Sequence, residues 1–325
     1  MRILITGSEG TIGKILQWEL RSRGHEVFCC DLAHSSDERY IRADVAEHRE
    51  IVWAFTFARP EIVFHLAAEF GRANGQAHYE RMWRSNVIGT QNVIRQCLFN
   101  SSVLVFASSS EAYGCADLYA PERENFKEEW LDRFAPEFHN QYALSKWTNE
   151  RQIFMAAKND KLKAIVLRLF NIYGPGEHYT PYRSVVCLFL YRLMKDLPIT
   201  VYESSFRSHL YVQDWAEWVA QLTDPRILSA IKRKVAPWPG SGTSGVPVFN
   251  LGGSEYESSI ALKDRILDML GGSRSEITVK REESANIISK MPDTSQARHW
   301  LEYVPKTLLD EGLALTIKWM RETYP

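Results

Sequence analysis

Residues 2–13 read Arg-Ile-Leu-Ile-Thr-Gly-Ser-Glu-Gly-Thr-Ile-Gly, a short apolar run that breaks into Gly7, Gly10 and Gly13. The run reads as a strand turning directly into a helix, because Ile12, Ile15, Leu16 and Leu20 then fall on one helical face that closes near Gly24. Gly7 permits the tight turn, Gly10 lets backbone approach a phosphate, and Gly13 lets the helix lie close to the sheet. The unpaired N–H groups of the helix start face the same anion. The stretch therefore predicts a cradle for a dinucleotide pyrophosphate, with spacing G-x-x-G-x-x-G.

A second glycine set, Gly240, Gly242 and Gly245, matches G-x-G-x-x-G letter for letter. Pro237, Pro239 and Pro247 bracket it and no apolar strand feeds it, so it reads as a loop.

The chain has 325 residues, 45% of them hydrophobic, which suits one large or two unequal domains with a substantial core. Its 39 basic and 40 acidic residues leave a formal charge of -1, which argues against nucleic acid as a partner. No apolar run is long enough to span a bilayer, and with the first strand starting at Arg2 no cleavable leader is expected. Cys29, Cys30, Cys97, Cys115 and Cys187 lack disulfide-framework spacing, so the expected compartment is the reducing cytoplasm. The nine histidines include no H-x-x-x-H pair, so no metal is expected.

Apolar, β-branched runs at 2–6, 26–30, 62–66, 103–107 and 164–169 alternate with helix-like stretches, which predicts an α/β, doubly wound parallel sheet. After about residue 170 the order loosens. Strand-like pieces at 198–202 and 208–212 sit among helical stretches at 184–195 and 214–222, and a Pro/Gly/Ser stretch at 236–247 leads into 248–253, which can return to the sheet. The expected division is a dinucleotide-binding domain over 1–170 with a returning strand near 248–253, and a smaller, interleaved substrate domain over 171–325.

Asp31, eighteen positions after Gly13, ends the second strand, where its carboxylate can accept bonds from an adenosine ribose and repel a 2′-phosphate. This favours NAD over NADP. Asp44 is placed either to meet the adenine edge or to form a turn. Two further segments bear on catalysis: Ala107-Ser108-Ser109-Ser110-Glu111-Ala112-Tyr113-Gly114 at a strand end, and Tyr142-Ala143-Leu144-Ser145-Lys146. Tyr142 and Lys146 share a helical face. A neighbouring cation and an oxidised nicotinamide are expected to lower the phenol toward general-base work, with Ser109 bonding the same substrate oxygen. Tyr191 and Lys195 repeat the Y-x-x-x-K spacing within an apolar helix, without a serine-rich strand end before them. They read as core and surface respectively.

These motifs, with His65-Leu66-Ala67-Ala68, Asn86-Val87-Ile88-Gly89-Thr90 and Arg168-Leu169-Phe170-Asn171-Ile172-Tyr173-Gly174-Pro175-Gly176, together resemble the extended short-chain dehydrogenase/reductase family along nearly the whole chain. Even Glu311-Gly312 followed by Ile317-Lys318-Trp319 is similar to that family's terminal helix. The resemblance implies a Rossmann-type fold, a homodimer built on a four-helix bundle, and nucleotide-sugar substrates oxidised at carbon 4. It also implies NAD held by Gly7, Gly10, Thr11, Ile12, Gly13, Asp31, Asp44, Val45, Leu66, Ala67 and Ala68, together with Tyr142 and Lys146. By the same resemblance Tyr142 is the base, Lys146 holds the nicotinamide ribose, Ser109 shares the sugar hydroxyl, and Asn171 binds the nucleotide-sugar phosphates.

Glu111 is similar to the glutamate of UDP-glucuronate decarboxylases and GDP-mannose 4,6-dehydratases, which simple 4-epimerases more often lack. Arg207 resembles an arginine that those decarboxylases place near the sugar. Two departures stand out: Ser110 occupies the position of the usual dehydratase Asp, and the stretch 174–183 is unusually aromatic. Arg183 is suited to a sugar carboxylate or to a phosphate, and Glu69 and Arg72 lie where the sugar pocket is expected to begin. The expected activity is carbon-4 oxidation followed by dehydration, decarboxylation or epimerisation. Net oxidation of a small hydroxy compound and a non-catalytic dinucleotide sensor are the competing readings; the intact Ser109, Tyr142 and Lys146 argue against the sensor.

Overall fold

A computed structural model describes residues 1–116, 125–233, 239–281 and 289–325. The strands are β1 (Arg2–Thr6), β2 (Glu26–Asp31), β3 (Tyr40–Arg42), β4 (Ile62–His65), β5 (Val103–Ser109), β6 (Ala164–Leu169) and β7 (Ile172–Tyr173). They continue with β8 (Ile199–Tyr202), β9 (Phe206–Ser208), β10 (Leu210–Tyr211), β11 (Val248–Leu251), β12 (Tyr256–Ser258), β13 (Ile277–Lys280) and β14 (Ser289–Lys290). Seven form one sheet in the order β11-β6-β5-β4-β1-β2-β3. Every pairing in it is parallel.

Burial on both faces explains the continuous apolar runs. Alternate residues of β1 separate Ile3 and Ile5 from Leu4, and these join different cores. One core seats Leu16 and Leu20 of the Thr11–Ser22 helix with Trp215 and Trp218 of the Val212–Ala220 helix. The opposite core gathers Phe55, Val93, Ile94, Ile153 and Phe154 from the helices His48–Ala58, Gly89–Asn100 and Gln141–Asp160. A third core in the C-terminal half joins Val186, Leu190, Ile199, Val201, Leu262, Leu313 and Ile317.

Strand order reverses between β1 and β4, so the crevice for a ligand opens at their carboxyl ends. β2 delivers Asp31 to that edge and β5 delivers Ser109. The sequence reading missed β3, whose three residues are too short to produce a periodic signal. It also ended the fifth strand at 107, whereas pairing with β6 continues to Ser109. The piece expected over 208–212 divides into β9 and β10, with Val212 already starting the next helix.

Of the stretch 236–247, Pro237 lies outside the described residues. Gly240 and Gly242 both donate their N–H groups to the Asp132 carboxylate, at 2.7 and 2.6 Å, so the second glycine set forms a loop with no helix behind it. β11 lies parallel to β6 at the sheet edge. Among the described residues no helix is long and apolar enough to cross a membrane.

Candidate active site

The glycine turn is built as tightly as its spacing predicts. Gly7 has φ +73°, and a Cβ there would stand 2.5 Å from the Ala67 nitrogen, which sets Leu66 and Ala67 against the turn. A Cβ on Gly13 would lie 2.3 Å from the Gly7 carbonyl oxygen, while one on Gly10 would meet only that oxygen, at 3.3 Å. Gly10 is the N-cap of the Thr11–Ser22 helix and offers no side chain to its first turn. The N–H groups of this turn are thus left for an outside acceptor. Ile12 packs its side chain on the sheet core, so only its backbone is available there. Thr11 donates its hydroxyl to the Gly176 carbonyl at 3.3 Å, tying this turn to the 174–176 segment.

The Asp31 carboxylate accepts from the Glu9, Leu32 and Ala33 N–H groups at 2.9, 2.7 and 3.3 Å, which fixes it at the rim of the glycine turn. Asp44 accepts from the Ala46 N–H at 2.8 Å, the turn geometry that was one of its two readings. Val45 is buried beneath Gly89. Ala68 follows directly on the segment that Gly7 contacts. These residues form a cradle open over Gly10, with a fixed carboxylate at one end, and they fit a dinucleotide.

Beside it, the Gln141–Asp160 helix is started by Asn140, whose side chain accepts from the Ala143 N–H at 2.8 Å. Tyr142, Ser145, Lys146, Asn149, Glu150 and Ile153 form its buried stripe. Lys146 donates to the Ala107 carbonyl at 2.7 Å, and its ammonium lies 5.9 Å from the centre of the Tyr142 ring. Burial lowers Lys146 to about 8 against the opposing pull of Glu150. Tyr142 shares a hydrogen bond with Ser109 that favours its ionised form, but burial outweighs that bond and raises the phenol. The sequence reading expected lowering, and the protein alone does not supply it.

Behind Lys146, Arg168 of β6 is fully buried and makes a paired contact to Glu150, 2.8 Å from Nη2 to Oε2 and 3.0 Å from Nε to Oε1. Ser108 donates to the same carboxylate at 2.6 Å. Arg168 also donates to the Tyr113 hydroxyl and to the Glu128 and Gly240 carbonyls. His65 sits between the Thr6 and Thr90 hydroxyls at 2.7 and 3.0 Å, and burial lowers it to about 3, so it is neutral.

Ser109 caps the short turn Ser110–Tyr113 by accepting from the Glu111 N–H at 3.2 Å. Ser110 is buried, and Glu111 is turned toward the C-terminal half. There its carboxylate pairs with Lys290 of β14. Burial pushes Glu111 up, but Lys290, Arg72 and Arg207 together hold it down to about 2. Arg207 of β9 is only 7% exposed, so it is not a solvated strand-end arginine. Lys290 was missed: a lysine in a two-residue strand carries no local signal, and lysines are ordinarily exposed.

The other expected residues divide. Arg183 lies over the Phe70 ring at 5.8 Å, and Phe70 meets Tyr142 edge to face at 6.2 Å, so Arg183 reaches the Tyr142 side of the crevice. Asn171, at φ 41°, donates its side-chain amide to the Ser208 carbonyl at 2.9 Å. Glu69 accepts from the Asn74 side-chain amide and pairs with Arg81 at 2.8 Å. The repeated motif lies elsewhere: Tyr191 stacks on Tyr179 at 3.8 Å, and Lys195 donates to the chain-end Pro325 carbonyl at 2.8 Å on the surface.

Comparisons with known proteins identify the family. The chain is 27% identical to a UDP-N-acetyl-alpha-D-glucosaminuronate decarboxylase of Bacillus cytotoxicus, over 99% of this chain and 98% of that one. It is 26% identical to UDP-glucuronic acid decarboxylase 1 of Xenopus tropicalis, over 99% of this chain and 72% of that protein. The solved structure of MoeE5 in complex with UDP-glucuronic acid and NAD aligns at a TM-score of 0.79 with 25% identity, covering 99% of this chain and all of that one. Residues 3–226 match the NAD dependent epimerase/dehydratase family, and the chain is a member of that family and an NAD-dependent enzyme.

Proposed function

We propose that the protein decarboxylates a nucleotide-linked uronic acid after oxidising its sugar at carbon 4. NAD held in the glycine cradle would accept the hydride and would bring the positive charge of its oxidised ring into the site. Tyr142 takes the proton of the carbon-4 hydroxyl, Ser109 shares that oxygen, and Lys146 holds the nicotinamide ribose. A ketone at carbon 4 accepts the electron pair of the bond to the carboxylate carbon, which leaves as carbon dioxide. A proton from water then joins carbon 5, and carbon 4 regains its hydride as Tyr142 gives the proton back to the carbon-4 oxygen. Asp31 favours NAD over NADP, Asp44 borders the adenine, and Ser110, Asn171, Arg183 and Arg207 bind the nucleotide sugar. Residues 171–325, apart from the strand near 248–253, act mainly in substrate binding.

The observation that carries this reading is Glu111, partly buried beside Ser109 and Tyr142 yet held ionised by Lys290, Arg72 and Arg207. An epimerase has only to rotate the keto sugar and return the hydride, and has no need of an ionised carboxylate beside the Ser109–Tyr142 pair. Basic side chains around Glu111 also suit an acidic sugar, and the two relatives described above carry uronate decarboxylase names.

The test is incubation with UDP-glucuronate and with UDP-N-acetylglucosaminuronate, following product mass. The expected product is lighter by one carbon dioxide, with no net NADH. An unchanged mass with altered stereochemistry makes the protein an epimerase, and loss of water makes it a dehydratase.

We further propose a homodimer in the cytoplasm. Ile88, Phe99 and Met155 are exposed along the Gly89–Asn100 and Gln141–Asp160 helices and their approach, and Cys29, Cys30, Cys97, Cys115 and Cys187 are all free.

A further inference from the structure

Lys290 stands 179 residues from Glu111 along the chain, yet it is 1% exposed and paired with that carboxylate. Its placement is specific. β14 pairs with β9 in parallel, with Lys290 directly opposite Arg207, so two neighbouring strands bring two cations to one side of the site. The turn after Lys290 is anchored from the other direction: the Phe126 N–H donates to the Met291 carbonyl at 2.7 Å, and the Asp293 N–H donates to the Phe126 carbonyl at 2.9 Å. Lys290 is therefore held between β9 and the Phe126 segment.

A lysine kept out of water loses hydration and side-chain freedom, and a partly buried carboxylate without a partner protonates. The pairing offsets both effects. On the opposite side, Ser109 fixes the Glu111 backbone and Tyr142 lies within electrostatic range. Among the described residues, the charged and titratable groups that act on Glu111 are Lys290 from β14, Arg207 from β9, Arg72 from the Arg72–Ala77 helix and the phenol of Tyr142.

We infer that Lys290 is a positioning residue for Glu111, fixing its carboxylate in one orientation and in its ionised form beside the Ser109–Tyr142 pair. This rests on the proposed decarboxylation only in what Glu111 then does: the fixed carboxylate is an acceptor next to carbon 5 and orients the departing group or the water that supplies the proton.

The experiment compares Lys290→Met and Lys290→Arg with the wild-type holoenzyme, reading the pH dependence of kcat/KM. It also follows the Glu111 carboxyl signal in 13C-glutamate-labelled protein, assigned by its disappearance in Glu111→Gln. In the wild type the signal stays that of a carboxylate from pH 8 to pH 5, and kcat/KM shows no acid limb from this group. In Lys290→Met the carboxyl titrates within that range, and kcat/KM falls roughly tenfold on the acid side as the Glu111 carboxylate is protonated. Lys290→Arg keeps a cation in place and keeps the acid side flat. If Lys290→Met retains an untitrated Glu111 and the wild-type profile, the inference is overturned.

Should Lys290→Met fail to fold, Lys290→Met with Glu111→Gln removes the unpaired charge and is expected to fold. A double variant that is also unfolded makes Lys290 purely structural and overturns the inference. Wild-type protein that turns over no uronate defeats the decarboxylase reading alone, because the carboxyl titration is read without substrate.

Discussion

Tyr142 carries the chemistry proposed for this site, and its surroundings make a definite demand on the ligands. Burial raises the phenol, and the Ser109 hydrogen bond only partly offsets that. Tyr142→Phe removes the proton acceptor and leaves the ring's edge-to-face contact with Phe70. Turnover is expected to fall by about a hundredfold or more, with NAD affinity nearly unchanged by calorimetry. Tyr191→Phe, in the repeated motif, is the control. Turnover of Tyr142→Phe at the wild-type rate would remove Tyr142 from the base role. The pairing of Tyr142 with Lys146 was legible from their four-residue spacing. The pairing of Glu111 with Lys290 was not, because no spacing rule links a strand-end turn to a two-residue strand far along the chain.

At the scale of elements, the strand, glycine turn and helix over residues 2–22 were legible because their signals, an apolar run, three spaced glycines and one apolar helical face, lie within a single contiguous stretch. The three glycines nevertheless do different work, and substitution separates them. Gly13 lies inside a helix, where alanine is intrinsically better by about 1 kcal/mol. A Cβ there would sit 2.3 Å from the Gly7 oxygen and 2.7 Å from the Ser8 oxygen, so Gly13→Ala is expected to destabilise the fold by roughly 1–3 kcal/mol despite that gain. Gly10→Ala meets no protein atom closer than 3.3 Å. Its thermal midpoint should stay near the wild-type value while NAD affinity drops by about tenfold or more, because the new methyl occupies the pyrophosphate approach. Melting curves and NAD calorimetry on both variants check this. Undiminished NAD binding by Gly10→Ala would show that the pyrophosphate lies elsewhere.

Across the whole molecule, Arg168 joins β6, the Gln141–Asp160 helix, the Ser110–Tyr113 turn and the loop at Gly240 through one fully buried side chain. Removing it strands the Glu150 carboxylate, which is also buried and lies one helical turn beyond Lys146. Arg168→Met is expected to cost about 3–5 kcal/mol in urea unfolding, with part of that loss recovered when Glu150→Gln is added. A single variant within about 1 kcal/mol of wild type would mean that Glu150 finds another partner or takes up a proton. The sequence by itself determined the parallel sheet, the dinucleotide cradle and the shared face of Tyr142 and Lys146. Each of these depends on contiguous periodicity and fixed spacing, which survive in a one-dimensional reading. Tertiary structure decided which charges are buried together. Arg168 read as part of an apolar strand and Lys290 drew no reading at all, and only the return of distant segments to Glu150 and Glu111 gave each cation a partner that makes its burial tolerable.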